Sequence, residues 1–137
     1  IAVTLALRSP EAEIWAVDVN ERARDLCRRN AETAGVGDRV HVVAPDDVPD
    51  GLRFDQLWSN PPIRIGKAAL HQLLHEWLDR LQPDAHGLLV VSKHLGADSL
   101  TAWLNRSGHP TERLISRMAY RVLRTGPRPT LVGQEPA

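Results

Sequence analysis

A chain of 137 residues with 42% hydrophobic and 25% charged residues has the composition of a folded globular domain, which excludes wholesale disorder, and it is too short for two ordinary domains. No apolar run reaches the ~18 residues that span a bilayer, and no basic-then-apolar leader stands at the start; a soluble, cytoplasmic protein is expected. One cysteine, Cys27, allows no internal disulfide and no zinc pattern, so neither a disulfide scaffold nor a metal centre is expected. The formal charge is zero, but residues 1–60 hold 7 Lys/Arg against 11 Asp/Glu and residues 61–137 hold 10 against 6. The second excess is concentrated in Arg106, Arg113, Arg117, Arg121, Arg124 and Arg128, which reads either as a solvated Arg-rich face or as an edge that meets phosphates.

In chain order, Ile1 to Arg8 is apolar and closed by Ser9-Pro10, as at the end of a helix. Ile14-Trp-Ala-Val-Asp18 is a short apolar run ending in an acid, the pattern of a buried parallel strand. Asn20 is placed to cap a helix with Glu21 in its first turn, an apolar side of Ala23, Leu26, Cys27, Ala31 and Ala34, and Gly35 as its stop. Val40-His-Val-Val43 is a second strand, followed by the acidic turn Pro45 to Gly51. Phe54 to Trp58 is a third, running into Ser59-Asn60-Pro61-Pro62. Leu70, Leu73, Leu74, Trp77, Leu78 and Leu81 follow helical spacing, which predicts a helix from about Lys67 to Leu81 ended by Pro83. Leu88 to Val91 is a continuous apolar strand, Asp98 to Ser107 a helix with Leu100, Trp103 and Leu104 inward, and Glu112 to Arg117 with Tyr120 to Arg124 a closing antiparallel pair. The expected organisation is one domain over residues 1–125 and a loose tail over 126–137.

Alternating apolar strands and helices imply a parallel sheet covered on both faces, with the ligand outside the strands' carboxyl ends. Asp18, Asp46, Asp47 and Asn60 all follow such ends. An acid at position 18 can accept hydrogen bonds from a ribose diol, a device shared with dinucleotide-binding sheets; it can equally be a cap. Asp46 and Asp47 can accept from an adenine amino group, or can simply be a turn. In Asn60-Pro61-Pro62 each proline fixes φ and biases the residue before it toward extended geometry. The Asn60 side-chain oxygen and the Pro61 carbonyl can then converge on an amino group carrying two N–H donors. Such a nitrogen is a poor nucleophile, and two accepted hydrogen bonds orient it and stabilise the positive charge it develops.

The strand–Asp18–helix–strand–acid order and Phe54-Asp-Gln-Leu-Trp-Ser-Asn-Pro-Pro62 resemble class I S-adenosylmethionine-dependent methyltransferases with the Asn/Asp-Pro-Pro-aromatic signature of amino-group enzymes. Ser59 to Lys67, the Leu/Trp helix, Val90-Val-Ser-Lys-His94 and Tyr120-Arg-Val-Leu123 resemble the "methyltransferase small" group, typified by bacterial small-subunit ribosomal RNA guanine-N2 methyltransferases. The resemblance covers about Ile1 to Arg124. It implies an α/β, Rossmann-like, mostly parallel sheet with an antiparallel closing strand. It also implies S-adenosylmethionine as cofactor, bound by Asp18 with its neighbour Val19 and by Asp46 or Asp47, and a target amino group held by Asn60 and Pro61. Pro62, Ile63, Arg64 and Lys67 are then expected to contact the substrate, and ribosomal RNA or the small ribosomal subunit is the expected partner, with no membrane and no metal. The group's first strand and glycine-rich loop would lie immediately before Ile1, so a segment upstream is expected. Ile63 stands where relatives place Phe or Tyr against the target base. Two other readings stay open: methylation of a protein glutamine amide, which offers the same two N–H donors, and a non-catalytic nucleotide- or RNA-binding remnant.

Overall fold

A computed structural model describes residues 1–117 and 119–129; the end of the expected loose tail, residues 130–137, lies outside them. The chain packs into two compact units, residues 1–52 and residues 53 onward.

The first unit contains helix α1 (Ala2–Arg8), strand β1 (Ile14–Val17), helix α2 (Glu21–Thr33) and strand β2 (Val40–Val43). β1 and β2 pair in parallel, Ile14 with Val40 through Val17 with Val43. The Asn20 side chain accepts from the Ala23 N–H at 3.1 Å, so the expected cap starts α2. The buried centre of this unit is Ala6, Ala31, Val36 and Val40, with Cys27 and Ala34 packed beside it. Leu26, expected on the inward side, is 60% exposed. At 100° per residue, Cys27, Ala31 and Ala34 share a narrow stripe and Leu26 lies about 100° from it, so the apolar face is narrower than its composition suggests. Arg39 closes α1 by donating to the carbonyls of Ala6, Ser9 and Ala12 at 3.0–3.1 Å, supplying donors to a helix end that lacks them.

The second unit contains strand β3 (Phe54–Ser59), helix α3 (Lys67–Leu78), strand β4 (Leu81–Ser92), helix α4 (Ala97–Arg106), strand β5 (Thr111–Arg117) and strand β6 (Tyr120–Thr125). Its sheet order is β3-β4-β6-β5; β3 and β4 are parallel, and β6 is antiparallel to both of its neighbours. A helix and strand alternation closed by an antiparallel strand is the mixed α/β architecture expected. The core is Leu70, Leu74 and Leu78 of α3, Leu81, Leu89 and Val91 of β4, Ala97, Leu100 and Leu104 of α4, and Leu123 of β6. At Gly87 an added Cβ would lie 3.2 Å from Leu78 and 3.3 Å from Leu57, so the missing side chain is what lets α3 sit down on the sheet.

One boundary differs from expectation. α3 ends at Leu78, and Leu81 begins a strand that runs twelve residues, through Pro83, to Ser92. Leu81 satisfies the helical spacing, but it is buried by pairing with Phe54 instead. Pro83 is accommodated because the β3–β4 register shifts between Phe54–Leu81 and Gln56–His86. The proline therefore falls where the ladder is interrupted and its missing N–H costs nothing.

A polar cluster is built at the end of α3. His109, fully buried, donates from Nδ1 to the Gly126 carbonyl at 2.8 Å. Its Nε2 must then accept, so the His75 Nδ1–H donates to it at 2.7 Å. Beside this pair Asp79 holds Arg128 in an ion pair. Burial holds His109 below the ordinary imidazole pKa, a shift that the Gly126 carbonyl and Asp79 oppose and Arg128 reinforces. His75 is lowered by burial and by the charges of Arg128 and His109.

Candidate functional site

In the first unit, the parallel register puts Asp18 and Ala44 side by side just past Val17 and Val43, at the carboxyl end of the two strands. The Asp18 Oδ1 accepts from the Asn20 N–H at 2.9 Å, and its main-chain oxygen accepts from Arg24 at 2.8 Å. These contacts fix the acid between β1 and the start of α2. Among the described residues no other hydrogen bond reaches its carboxylate, so the group remains an exposed acceptor beside an N-terminal helix turn. Val19 projects outward, 81% exposed. Pro45–Asp47 forms a short 3₁₀ turn directly after β2 and leaves both Asp46 and Asp47 exposed. The structure thus gathers Asp18, Val19, Asp46 and Asp47 at one edge of one small sheet, an arrangement with the acceptors a ribose and an amino-purine require and an apolar side chain to lie against a ring. The fit to an adenosine group is good on the chemistry of that set.

In the second unit, Asn60 follows the carboxyl end of β3 and is exposed, whereas Pro61 is buried. The Ile63 N–H donates to the Pro61 carbonyl at 2.9 Å, with Pro62 at φ −77° and ψ 81°. This is an inverse γ-turn centred on the second proline. Pro62 cannot leave this φ, so the sequence pre-sets that half of the turn, and the fold sets its ψ. The Pro61 oxygen has one lone pair engaged by Ile63 and the other still able to accept. Ile63–Ile65 then makes a 3₁₀ turn, and Gly66 at φ 99° and ψ 153° turns the chain into α3, a conformation essentially restricted to glycine.

Asn60, Pro61, Pro62, Ile63 and Arg64 line a cleft of about 380 Å³ together with Ser92 and Tyr120. Five of the expected substrate-side residues are therefore in one place. Lys67 opens α3 instead and is not part of this lining. Ile63 lines the cleft but also packs against the core cluster, which limits how much of it can cover a substrate. Ser92 and Tyr120 were not identified as site residues from the sequence. Both fall in runs that carry the resemblance, Val90 to His94 and Tyr120 to Leu123, but what brings them together is the β4–β6 register, in which the two are directly paired.

The Arg-rich region divides. Arg121, Arg124 and Arg128 form ion pairs with Asp98, Glu112 and Asp79; Arg106, Arg113 and Arg117 form none among the described residues and are exposed. A separate depression of about 390 Å³ at Ser9, Pro10, Glu11 and Ala12 has no convergent set of polar side chains. Among the described residues no group of three His, Cys, Asp or Glu is placed to hold a metal ion, and no helix is long and apolar enough to cross a membrane.

Residues 1–124 match the methyltransferase small domain. The chain is 32% identical over 102 residues to the uncharacterized protein YbxB of Bacillus subtilis, covering 72% of this chain and 50% of that protein. It is 46% identical over 68 residues to a release factor glutamine methyltransferase of Chlorobaculum tepidum, covering 45% and 23%. It is also 32% identical over 78 residues to a tRNA1(Val) (adenine(37)-N6)-methyltransferase of Porphyromonas gingivalis, covering 52% and 30%. The chain thus spans half or less of the length of these relatives. The N-terminal domain of human METTL16 in complex with SAH has the same fold, with a TM-score of 0.67 at 17% identity over 92% of this chain and 56% of that one.

Proposed function

The chain belongs to the methyltransferase small domain family, and on that premise we propose that the protein transfers the methyl group of S-adenosylmethionine to an exocyclic amino nitrogen of an RNA base, guanine N2 of ribosomal RNA first. The observation that carries the reading is that Asn60 and Pro61 line one cleft, with the Pro61 carbonyl held in a γ-turn centred on Pro62.

S-adenosylmethionine, when bound, supplies an electrophilic methyl on its sulfonium. Asp18 would accept from its ribose hydroxyls, Asp46 or Asp47 from its adenine amino group, and Val19 would cover the ring. On the target side, the Asn60 side-chain oxygen and the second lone pair of the Pro61 carbonyl would each accept one N–H of the target amino group. Both hydrogen bonds strengthen as positive charge grows on the nitrogen, so they favour the transition state over bound substrate. Transfer would form the nitrogen–carbon bond at the expense of the carbon–sulfur bond, and the nitrogen would release its proton afterwards, so Asn60 and Pro61 would need no strong base beside them.

Guanine in ribosomal RNA is favoured by the Ser59 to Lys67, Val90 to His94 and Tyr120 to Leu123 motifs. A second reading, a protein glutamine amide, is favoured by the 46% identity to a release factor glutamine methyltransferase. Incubating ribosomal subunits, tRNA and total protein from a deletion strain with methyl-tritiated S-adenosylmethionine separates them by the fraction labelled. Asn60→Ala should lower kcat about 10²–10³-fold with cofactor affinity unchanged by calorimetry. Wild-type turnover in that variant would remove the mechanism.

A further inference from the structure

The sheet order β3-β4-β6-β5 sets out one edge of the second unit residue by residue. The Asn60 loop follows β3, Ser92 ends β4, Tyr120 begins β6, and Arg117 ends β5. Ser92 is paired directly with Tyr120, and Tyr120 with Arg117. Directly paired residues in an antiparallel ladder project to the same face, so Ser92, Tyr120 and Arg117 point the same way.

The Asn60 loop and Tyr120 stand two strand positions apart, about 10 Å between backbones, and Ser92 ends the strand between them. All three belong to the lining of the cleft. Tyr120 is 57% exposed and is the aromatic side chain in that lining. The other aromatic rings described in this unit lie elsewhere: Phe54 and Trp103 pack on the core, Trp77 meets Arg80, and Trp58 bonds to Gln56. Arg117, next to Tyr120, is exposed and forms no ion pair among the described residues, unlike Arg121 and Arg124 on β6.

We infer that Tyr120 is the stacking wall for the target ring and that Arg117 receives the phosphate attached to it, so that this cleft selects a nucleotide over an amide side chain. The inference rests on the reading of Asn60 and Pro61 as the amino-group acceptors. A planar ring needs a broad apolar face, which Ile63, partly committed to the core, does not offer and an exposed tyrosine does. A glutamine amide needs neither that face nor a guanidinium one strand beyond it.

The chain has one tyrosine, so ring-labelled tyrosine reports Tyr120 alone by NMR. Guanosine 5′-monophosphate should shift its ring signals saturably, and N-acetylglutamine amide should not. In equilibrium dialysis, Tyr120→Ala should weaken guanosine 5′-monophosphate binding roughly tenfold or more, Tyr120→Phe should retain it, and Arg117→Gln should weaken the monophosphate several-fold while leaving guanosine unchanged. Ring signals that ignore the nucleotide, equal affinity in Tyr120→Ala, or a shift produced only by the glutamine amide would overturn the inference. The underlying reading is tested separately by RNA methylation. If wild type and Tyr120→Ala methylate RNA with equal kcat/KM, Tyr120 loses its role and the function stands; if wild type methylates no RNA, the function falls, and the titration still decides whether Tyr120 binds nucleotides.

Discussion

The two units are built to different standards of packing. In the second, eight leucines, a valine and an alanine from two helices and two strands are buried together, and Leu78 of α3 sits against the space left by the absent side chain of Gly87. In the first, the buried centre is two alanines and two valines, every residue of β1 is half-buried, and Ile1, Leu7, Val19 and Leu26 are all more than half exposed. A two-stranded sheet is marginal by itself, and small buried side chains remove little apolar surface from water. The acids suited to a nucleoside thus stand on the thinly packed unit, and the acceptors suited to an amino group on the well-packed one.

The largest effect should come from Leu104→Ala, which empties a fully buried position of α4 and should cost about 2–5 kcal/mol. Urea unfolding followed by hydrogen exchange should show lost protection in β4 and β6 with β1 and β2 unaltered. Equal loss in both units would mean that the chain unfolds as one body and that the contrast in packing has no thermodynamic counterpart.

A smaller effect, about 1 kcal/mol, is expected from Asn20→Ala, which removes the α2 cap. Because that unit has little core to hold the helix, α2 amides should exchange faster while those of α3 stay as they are; unchanged exchange in α2 would show a stiffer first unit than its core implies.

The smallest concerns pH. Burial keeps the folded His109 below the ordinary value of 6.5, so the unfolded chain binds a proton that the folded chain refuses. His75, Asp79 and Arg128 face it. Stability of the second unit should be intact above about pH 6.5 and fall as the pH drops below it. The urea midpoint of the β4–β6 amides at pH 7.5 and 5.5 measures this, and in His109→Gln the difference between the two should shrink, though stability is lower throughout. A wild-type midpoint that does not move would place the His75–His109 link outside the folding equilibrium.

Most local elements were legible before the structure. Asn20 and Gly35 bracket α2, the period of Leu70, Leu74 and Leu78 marks α3, and the two prolines predict a stiff loop after β3, because each depends on residues within a turn or two of one another. The misreadings share a cause. Leu81 fits a helix by spacing and a strand by partner, and Phe54 decides the matter from 27 positions away. Leu26 lies at the margin of a stripe whose width depends on what packs against it. The site divides in the same way.

The sequence by itself determined the order of strands and helices, the acids at strand ends, and the stiffness of the Asn60-Pro61-Pro62 loop, since proline geometry and helix capping are local. Only the tertiary structure decided that Ser92 and Tyr120 complete the cleft with Asn60, that Lys67 does not, and which arginines are already neutralised. Those outcomes are set by strand register and by ion pairs across 12 to 49 positions, and pairing at such separations is chosen by the energy of the whole fold, not by any stretch of chain.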